Sequence, residues 1–263
     1  MKKILFTILF CLIYSIVFAK GFIKLATTTS IENTGIIYAL NDEFTKKTGI
    51  RVQTIPLGTG KALKLAENGD VDVVFVHSEK DELNFVDNGY GINRKTVMYN
   101  YFILTGPESD PAGIKNMPPV EAFTKIYSTK SPFYSRGDES GTHVREKEIW
   151  KKTGISDFHY NNYFETGQGM GATLQIADYK NGYCLSDKGT YLAFQKQLKD
   201  SIIMAECADV FLNKYSVIGV NPFKHQHVKL TYVSKYINFL VSEKAKEIIK
   251  NYKKYGEQLF YIY

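Results

Sequence analysis

Apolar residues recur along this chain with two different spacings, and their alternation predicts a succession of strands and helices. Gly21 to Ala26 reads as a short strand that ends in Thr27-Thr28-Thr29-Ser30. Ile36, Ile37, Leu40 and Phe44 then share one helical face, with Lys46 and Lys47 in the last turn and Gly49 at the stop. Ile50 to Ile55 predicts a second strand, Leu57 to Gly60 a loop, and Lys61 to Asn68 a helix closed by Gly69. Val71 to Val76 is the apolar run of a strand buried on both faces, followed by a helix over Glu79 to Asn88 before Gly89. Strand and helix alternating three times predict an α/β fold built on a mostly parallel sheet.

The rhythm breaks at Thr96 to Leu104, a long extended stretch followed by Gly106-Pro107 and by Pro111, Pro118 and Pro119. Beyond it the alternation resumes. Helices are predicted around Val120 to Tyr127, Thr142 to Lys152, Met170 to Asn181 and Gly189 to Gln197. Strands are predicted at Pro132 to Ser135, around Tyr163, at Tyr183 to Leu185 and at Ser201 to Glu206. Tyr215 to Val220 is a second extended stretch leading back, and helices at Tyr232 to Leu240 and Glu243 to Tyr252 are expected to pack on the first domain. The expected organisation is a discontinuous domain I (20–103 plus 214–263) and a domain II (104–213), joined by two extended crossovers with a cleft between them. Ligands in open α/β sheets bind beyond the carboxyl ends of the strands.

The N-terminus changes the picture of location and charge. Met1-Lys2-Lys3, the apolar stretch Ile4 to Phe18 and the small residues of Val17-Phe18-Ala19 have the layout of a secretory signal peptide at residues 1–19, with cleavage after Ala19 and a periplasmic destination. Its removal takes two charges from the formal +6, and the remainder is spread without a basic arm, so a nucleic-acid partner is not expected. Cys11 falls inside the discarded peptide, and Cys184 and Cys207 remain, free or paired. The mature length suffices for two domains and a large core, and the chain is expected to act as a monomer.

Candidate chemistry concentrates in the loops at the predicted strand ends. Thr27 to Ser30, Gly58-Thr59-Gly60, Ser135 to His143 and Thr166 to Gly171 each join a strand to a helix, and each supplies hydroxyls or exposed backbone N–H groups. Helix N-termini carry unpaired N–H donors and partial positive charge, which favour anions. Four such loops around one cleft offer many donors and few acceptors, the chemistry of a small, fully deprotonated oxyanion. Arg136 is the natural charged partner, with a fork that gives two parallel hydrogen bonds. Asp138 is expected to brace Arg136 or cap the helix, the threonine run is also an ordinary helix cap, and His143 reads as a packed or capping residue. His77 either lines the cleft or caps its strand.

Thr27 to Ser30, Val71 to His77, Val97 to Asn100, Ser135 to His143, Glu165 to Thr173 and Leu185 to Tyr191 together resemble, in family order, the tungstate-binding proteins of ABC transporters. The resemblance implies a two-domain periplasmic-binding-protein fold of type II that closes on one tungstate ion and delivers it to a membrane permease and its ATPase. It implies an oxyanion site made from Thr28, Thr29 and Ser30 on one side and Arg136, Ser140 and Thr142 on the other. Thr59 is added as a donor, and Gly169 and Met170 as backbone donors. No cofactor is expected, since the tungstate or molybdate ion is cargo.

Other readings fit less well. Gly58-Thr59-Gly60-Lys61 lacks the earlier glycine and the following hydroxyl of a phosphate loop, having Ile55 and Ala62 there. Gly167 to Ala172 matches a dinucleotide fingerprint only loosely, after a segment too polar for a buried strand. A secreted serine hydrolase would need Ser140 as nucleophile and His143 as base, with no evident third group. The histidines are scattered, and His225-Gln226-His227 reads as a surface loop and not as a metal site. Among oxyanions, a donor-only site disfavours HPO₄²⁻, whose O–H needs an acceptor. Sulfate and molybdate stay open on physical grounds, and tungstate rests on the resemblance.

Overall fold

Three parallel strands open the fold: β1 (Phe22–Thr28), β2 (Arg51–Leu57) and β3 (Val73–Val76). They come from a computed structural model that describes residues 21–206, 212–254 and 256–263. The expected signal peptide with its cleavage after Ala19, and Cys207 with its expected pairing choice, lie outside the described residues. In register, Thr28 stands opposite Leu57 and Thr27 opposite Phe75, so the three strands finish along one edge. Helices α1 (Thr29–Thr34), α2 (Ile36–Thr48), α3 (Thr59–Asn68) and α4 (Glu79–Asp87) follow them.

The Thr-Thr-Thr-Ser segment is more than a connecting loop. Thr28 caps α1, and Thr29 and Ser30 already lie in its first turn. Gly35, at φ 84°, ends α1 and starts α2 in a left-handed conformation that a side chain would strain. The apolar face of α2 then buries Ile36, Ile37, Leu40 and Phe44, as its spacing predicts.

The long strand β4 (Gly91–Pro107) leaves this sheet for a second one. Its first part pairs antiparallel with β9 (Leu212–Val220), and its last part pairs antiparallel with β7 (Cys184–Asp187) and β8 (Ser201–Glu206). The first sheet runs β10-β4-β9-β3-β1-β2, where β10 (Tyr261–Ile262) is a C-terminal strand laid on Met98 and Tyr99. In the second half β5 (Phe133–Ser135) and β6 (Tyr163–Glu165) are parallel, and Phe133 bridges Tyr183 in parallel. Both sheets are therefore mixed, where a mostly parallel arrangement was expected. The parallel cores are present, but the crossover segments β4 and β9 are themselves sheet strands that run against their neighbours.

Helices α5 (Pro119–Ser128), α6 (Gly141–Lys152), α7 (Met170–Tyr179) and α8 (Lys188–Phe194) flank the second sheet. Helices α9 (Leu230–Leu240) and α10 (Glu243–Asn251) return to the first, where Phe44 meets Tyr236 edge-on with ring centroids 5.0 Å apart. Buried residues form two clusters. The larger spans β1, β3, β9 and α9 and reaches Met170, Leu174 and Leu192. The smaller gathers Phe123, Phe133, Trp150, Tyr183 and Leu185. Among the described residues no helix is long and apolar enough to cross a membrane.

Candidate functional site

The ends of both parallel strand sets converge. Beyond β1, β2 and β3 lie Thr28 to Ser30, Thr59 and His77; beyond β5, β6 and β7 lie Arg136, Thr166 to Gly169 and the start of α8. Two close approaches join the sides. A Cβ on Gly141 would sit 3.0 Å from the His77 carbonyl oxygen, and one on Gly169 would sit 3.5 Å from Thr29 Oγ1. Only a bare backbone lets α6 come so near β3.

Thr28, Ser30, Thr59, Arg136, Ser140, Thr142 and Met170 are all buried, although most are polar. Among the described residues, the buried side-chain atoms without a hydrogen-bond partner belong to Thr59, Glu82, Arg94, Arg136, Thr142 and Ser201. Three of those six atoms, Thr59 Oγ1, Thr142 Oγ1 and Arg136 Nε, are in the predicted site. Arg94 and Glu82 at least hold each other at 2.7 Å. A buried polar group left unpaired costs about 1–3 kcal/mol, so three donors of this kind at converging strand ends mark a place built for acceptor atoms. Helices α3 and α7 reinforce it. Their caps are Gly58 and Gly169, no side chain bonds their first-turn N–H groups, and those donors stay available.

Of its two expected tasks Asp138 performs the first, bracing Arg136, while the cap of α6 is Ser140. Asp138 Oδ2 accepts from Arg136 Nη2 at 2.6 Å and Asp138 Oδ1 from the Ser140 N–H at 3.2 Å. The carboxylate thus braces the guanidinium, and each of its oxygens is turned to a protein donor. Ser140 caps α6 by accepting the His143 N–H at 3.4 Å. The His143 ring points elsewhere, with Nδ1 accepting the Glu139 N–H at 3.1 Å. Ser140 and His143 therefore form no nucleophile–base pair. His225 and His227 bond the carbonyls of Glu67 and Gly69 at 2.9 and 2.7 Å, finishing α3. Among the described residues no group of three His, Cys, Asp or Glu could hold a metal.

A buried polar chain that the apolar patterning did not disclose runs behind the site. Ser30, His77, Asn213, Asn100 and Asp187 follow one another in hydrogen-bond contact. His77 is 7% exposed, and burial, aided by the Arg136 charge, pushes its pKa down to about 4, so it is neutral at neutral pH. The signal in the sequence was a polar residue inside each apolar strand, at Asn100, Asn213 and Asp187, because such residues are rarely buried without a partner.

Thr142→Val should test one donor alone. The change keeps shape and removes the hydroxyl, so oxyanion affinity should fall by about tenfold or more while the unfolding midpoint holds or rises. Titration calorimetry with thermal unfolding checks both, and an unaltered affinity would place Thr142 outside the site.

Comparison with known proteins bears on this geometry. The model of the PBP superfamily domain matches residues 18–244. The tungstate-binding protein TupA of Peptoclostridium acidaminophilum is 42% identical over 247 residues, which cover 92% of this chain and 86% of that protein. Among solved structures, the tungstate ABC transporter protein from Geobacter sulfurreducens is 43% identical with a TM-score of 0.80, covering 87% of this chain and 97% of that one. The tungstate-binding protein TupA from Desulfovibrio alaskensis G20 is 40% identical with a TM-score of 0.81, covering 92% and 99%. The chain belongs to the PBP superfamily and, within it, to the TupA family of tungstate-binding proteins.

Proposed function

We propose that this protein is the extracytoplasmic solute-binding component of an ABC transporter, that it captures tungstate between its two halves, and that it hands the ion to a membrane permease. The observation that carries the reading is the set of buried donors without partners, Thr59 Oγ1, Thr142 Oγ1 and Arg136 Nε, at converging strand ends. The names of the relatives select tungstate among oxyanions of similar chemistry. The ligand is cargo and no cofactor is assigned. Nor is an enzymatic activity, because the best nucleophile–base pair is not formed. We place the protein in the periplasm as a monomer.

In this reading domain I comprises 20–103 plus 214–263 and domain II comprises 104–213, with β4 carrying the chain from one sheet to the other. Thr28, Thr29, Ser30 and Thr59 approach the anion from domain I. Arg136, Ser140, Thr142 and the N–H groups at Gly169 and Met170 approach it from domain II. Each charge-assisted hydrogen bond contributes about 1.5–3 kcal/mol, so several together outweigh the ordering that closure requires. The anion drives closure because it meets the full donor set only in the closed form.

Calorimetry of the mature protein with tungstate, molybdate, sulfate and phosphate tests this. Tungstate and molybdate should bind tightest, and phosphate weakest, since its O–H would have to compete for weak hydroxyl acceptors while the Asp138 carboxylate is engaged by Arg136 and the Ser140 N–H. Tightest binding of phosphate would overturn the donor-only argument.

A further inference from the structure

The polar chain behind the site has a fixed direction. The Thr190 N–H donates to Asp187 Oδ1 at 2.8 Å, so that oxygen is an acceptor, and the atom of Asn100 facing it at 3.2 Å is Nδ2. Asn100 Oδ1 then accepts from Asn213 Nδ2 at 2.7 Å, which leaves Asn213 Oδ1 facing His77 Nδ1 at 2.8 Å. An amide oxygen carries no hydrogen, so Nδ1 holds the proton of the neutral imidazole and Nε2 is a bare lone pair. Ser30 Oγ, 3.4 Å away, therefore donates to Nε2. Ser30 in turn accepts from Thr28 Oγ1 at 3.0 Å, whose oxygen accepts the Ile31 N–H at 3.4 Å. A backbone N–H at the start of α8 thus sets where the hydroxyl hydrogen of Ser30 points, and it points to His77.

A dianion needs that hydrogen. We propose that His77 is a positioning residue coupling oxyanion capture to a proton: binding turns the Ser30 hydroxyl from His77 Nε2 to the anion, and Nε2 takes up one proton from the solvent. The inference rests on the oxyanion reading above. Without uptake, the turned serine would leave a buried lone pair unpaired. With it, Nε2–H donates back to Ser30 Oγ and the ring gains a charge opposite to the ligand's. In the free protein that charge is opposed by burial and by two cations facing the ring, Arg136 from the β5–α6 loop and Arg145 from α6. The Tyr215 ring on β9 packs on the imidazole at 4.8 Å between centroids; its hydroxyl accepts from Asn213 Nδ2 at 2.7 Å, is in hydrogen-bond contact with Ser30, and is held well above the ordinary phenol range by burial, so it stays neutral beside His77. Glu79, Lys80 and Glu148 line the adjoining groove of about 430 Å³, which gives the proton a way in. An incoming dianion reverses the balance that Arg136 and Arg145 impose. The anion-bound state then holds more protons than the free state, so binding strengthens as pH falls, by up to tenfold per pH unit.

The test is calorimetry with sodium tungstate in buffers of different ionisation enthalpy, between about pH 8 and about pH 6. Uptake should rise towards one proton per anion at the lower end. In His77→Gln, which keeps an amide donor for Asn213 and takes up no proton, uptake should be lost and affinity should become flat with pH. Nitrogen NMR of the His77 ring in the unaltered protein gives the same answer if the variant fails to fold: Nε2 bare in the free protein, both nitrogens protonated in the complex. Tungstate binding with a neutral His77 ring, or with equal uptake in the variant, would overturn the proposal and leave the oxyanion reading standing. No binding of any oxyanion would remove that reading first.

Discussion

Arg136→Ala should weaken tungstate binding by at least about a hundredfold and leave the fold intact. Arg136 is 4% exposed; its Nη2 donates to Asp138 at 2.6 Å, while Nε lies buried without a partner among the described residues. Two charge-assisted hydrogen bonds to the anion at about 1.5–3 kcal/mol each amount to about 3 kcal/mol or more, which is two decades or more in Kd. The loss should exceed that figure, because Asp138 would then stand uncompensated beside a dianion. Arg136→Ala combined with Asp138→Asn should therefore bind better than Arg136→Ala alone. Arg136→Lys should fall between, since lysine keeps the charge and loses the planar fork. Calorimetry with far-UV circular dichroism checks the set, and an unchanged affinity in Arg136→Ala would remove this residue from the site.

Most of the elements were legible in the sequence because apolar spacing reports burial directly. The stretch from Ile36 to Phe44 buries the predicted helix face, and Val73 to Val76 is buried on both sides of its sheet. Helix ends at Gly49 and Gly69 fall where the glycines predict, both in the left-handed conformation. Less visible were features that depend on partners far along the chain. The strand Tyr261–Ile262 is too short to carry a period and exists by pairing with Met98 and Tyr99. The antiparallel entry of β4 and β9 follows from tertiary pairing that no local pattern encodes. Short α1 was hidden because Thr29 to Thr34 has too few apolar residues for a helical stripe.

The candidate site divides in the same way. Hydroxyl-rich loops and Arg136 announced themselves by residue type, and their burial is compatible with the assigned roles. The relay through Asn213 and Asn100 stayed out of view, because Asn213 and His77 are 136 positions apart in the chain. What decides the role of His77 is a hydrogen-bond direction that begins at the N–H of Thr190, and sequence spacing does not contain it.

Trp150→Ala should cost about 3–5 kcal/mol of stability, the range for emptying a large aromatic site in a core. The side chain is fully buried against Phe123 at 4.7 Å, Phe158 at 5.4 Å and Phe133 at 5.5 Å between ring centroids. Its Nε1 also donates to Glu146 Oε1 at 3.2 Å, which accepts from Tyr163 as well at 2.8 Å. Burial pushes the Glu146 carboxyl up to about pKa 7, so losing a donor there adds to the cavity. Trp150 sits near the end of α6, and Thr142 sits in its first turn, so the helix transmits the damage to the site. At roughly 2–4 °C per kcal/mol for a chain of this size, the melting temperature should fall by about 10 °C. Trp150→Phe, which refills much of the space, should lose less. Tungstate at a thousandfold excess over Kd adds about 4 kcal/mol to the folded state, so the ligand should recover much of the deficit in Trp150→Ala if the anion site survives. An unfolding midpoint unchanged by Trp150→Ala would mean that α6 is held by something other than this aromatic cluster.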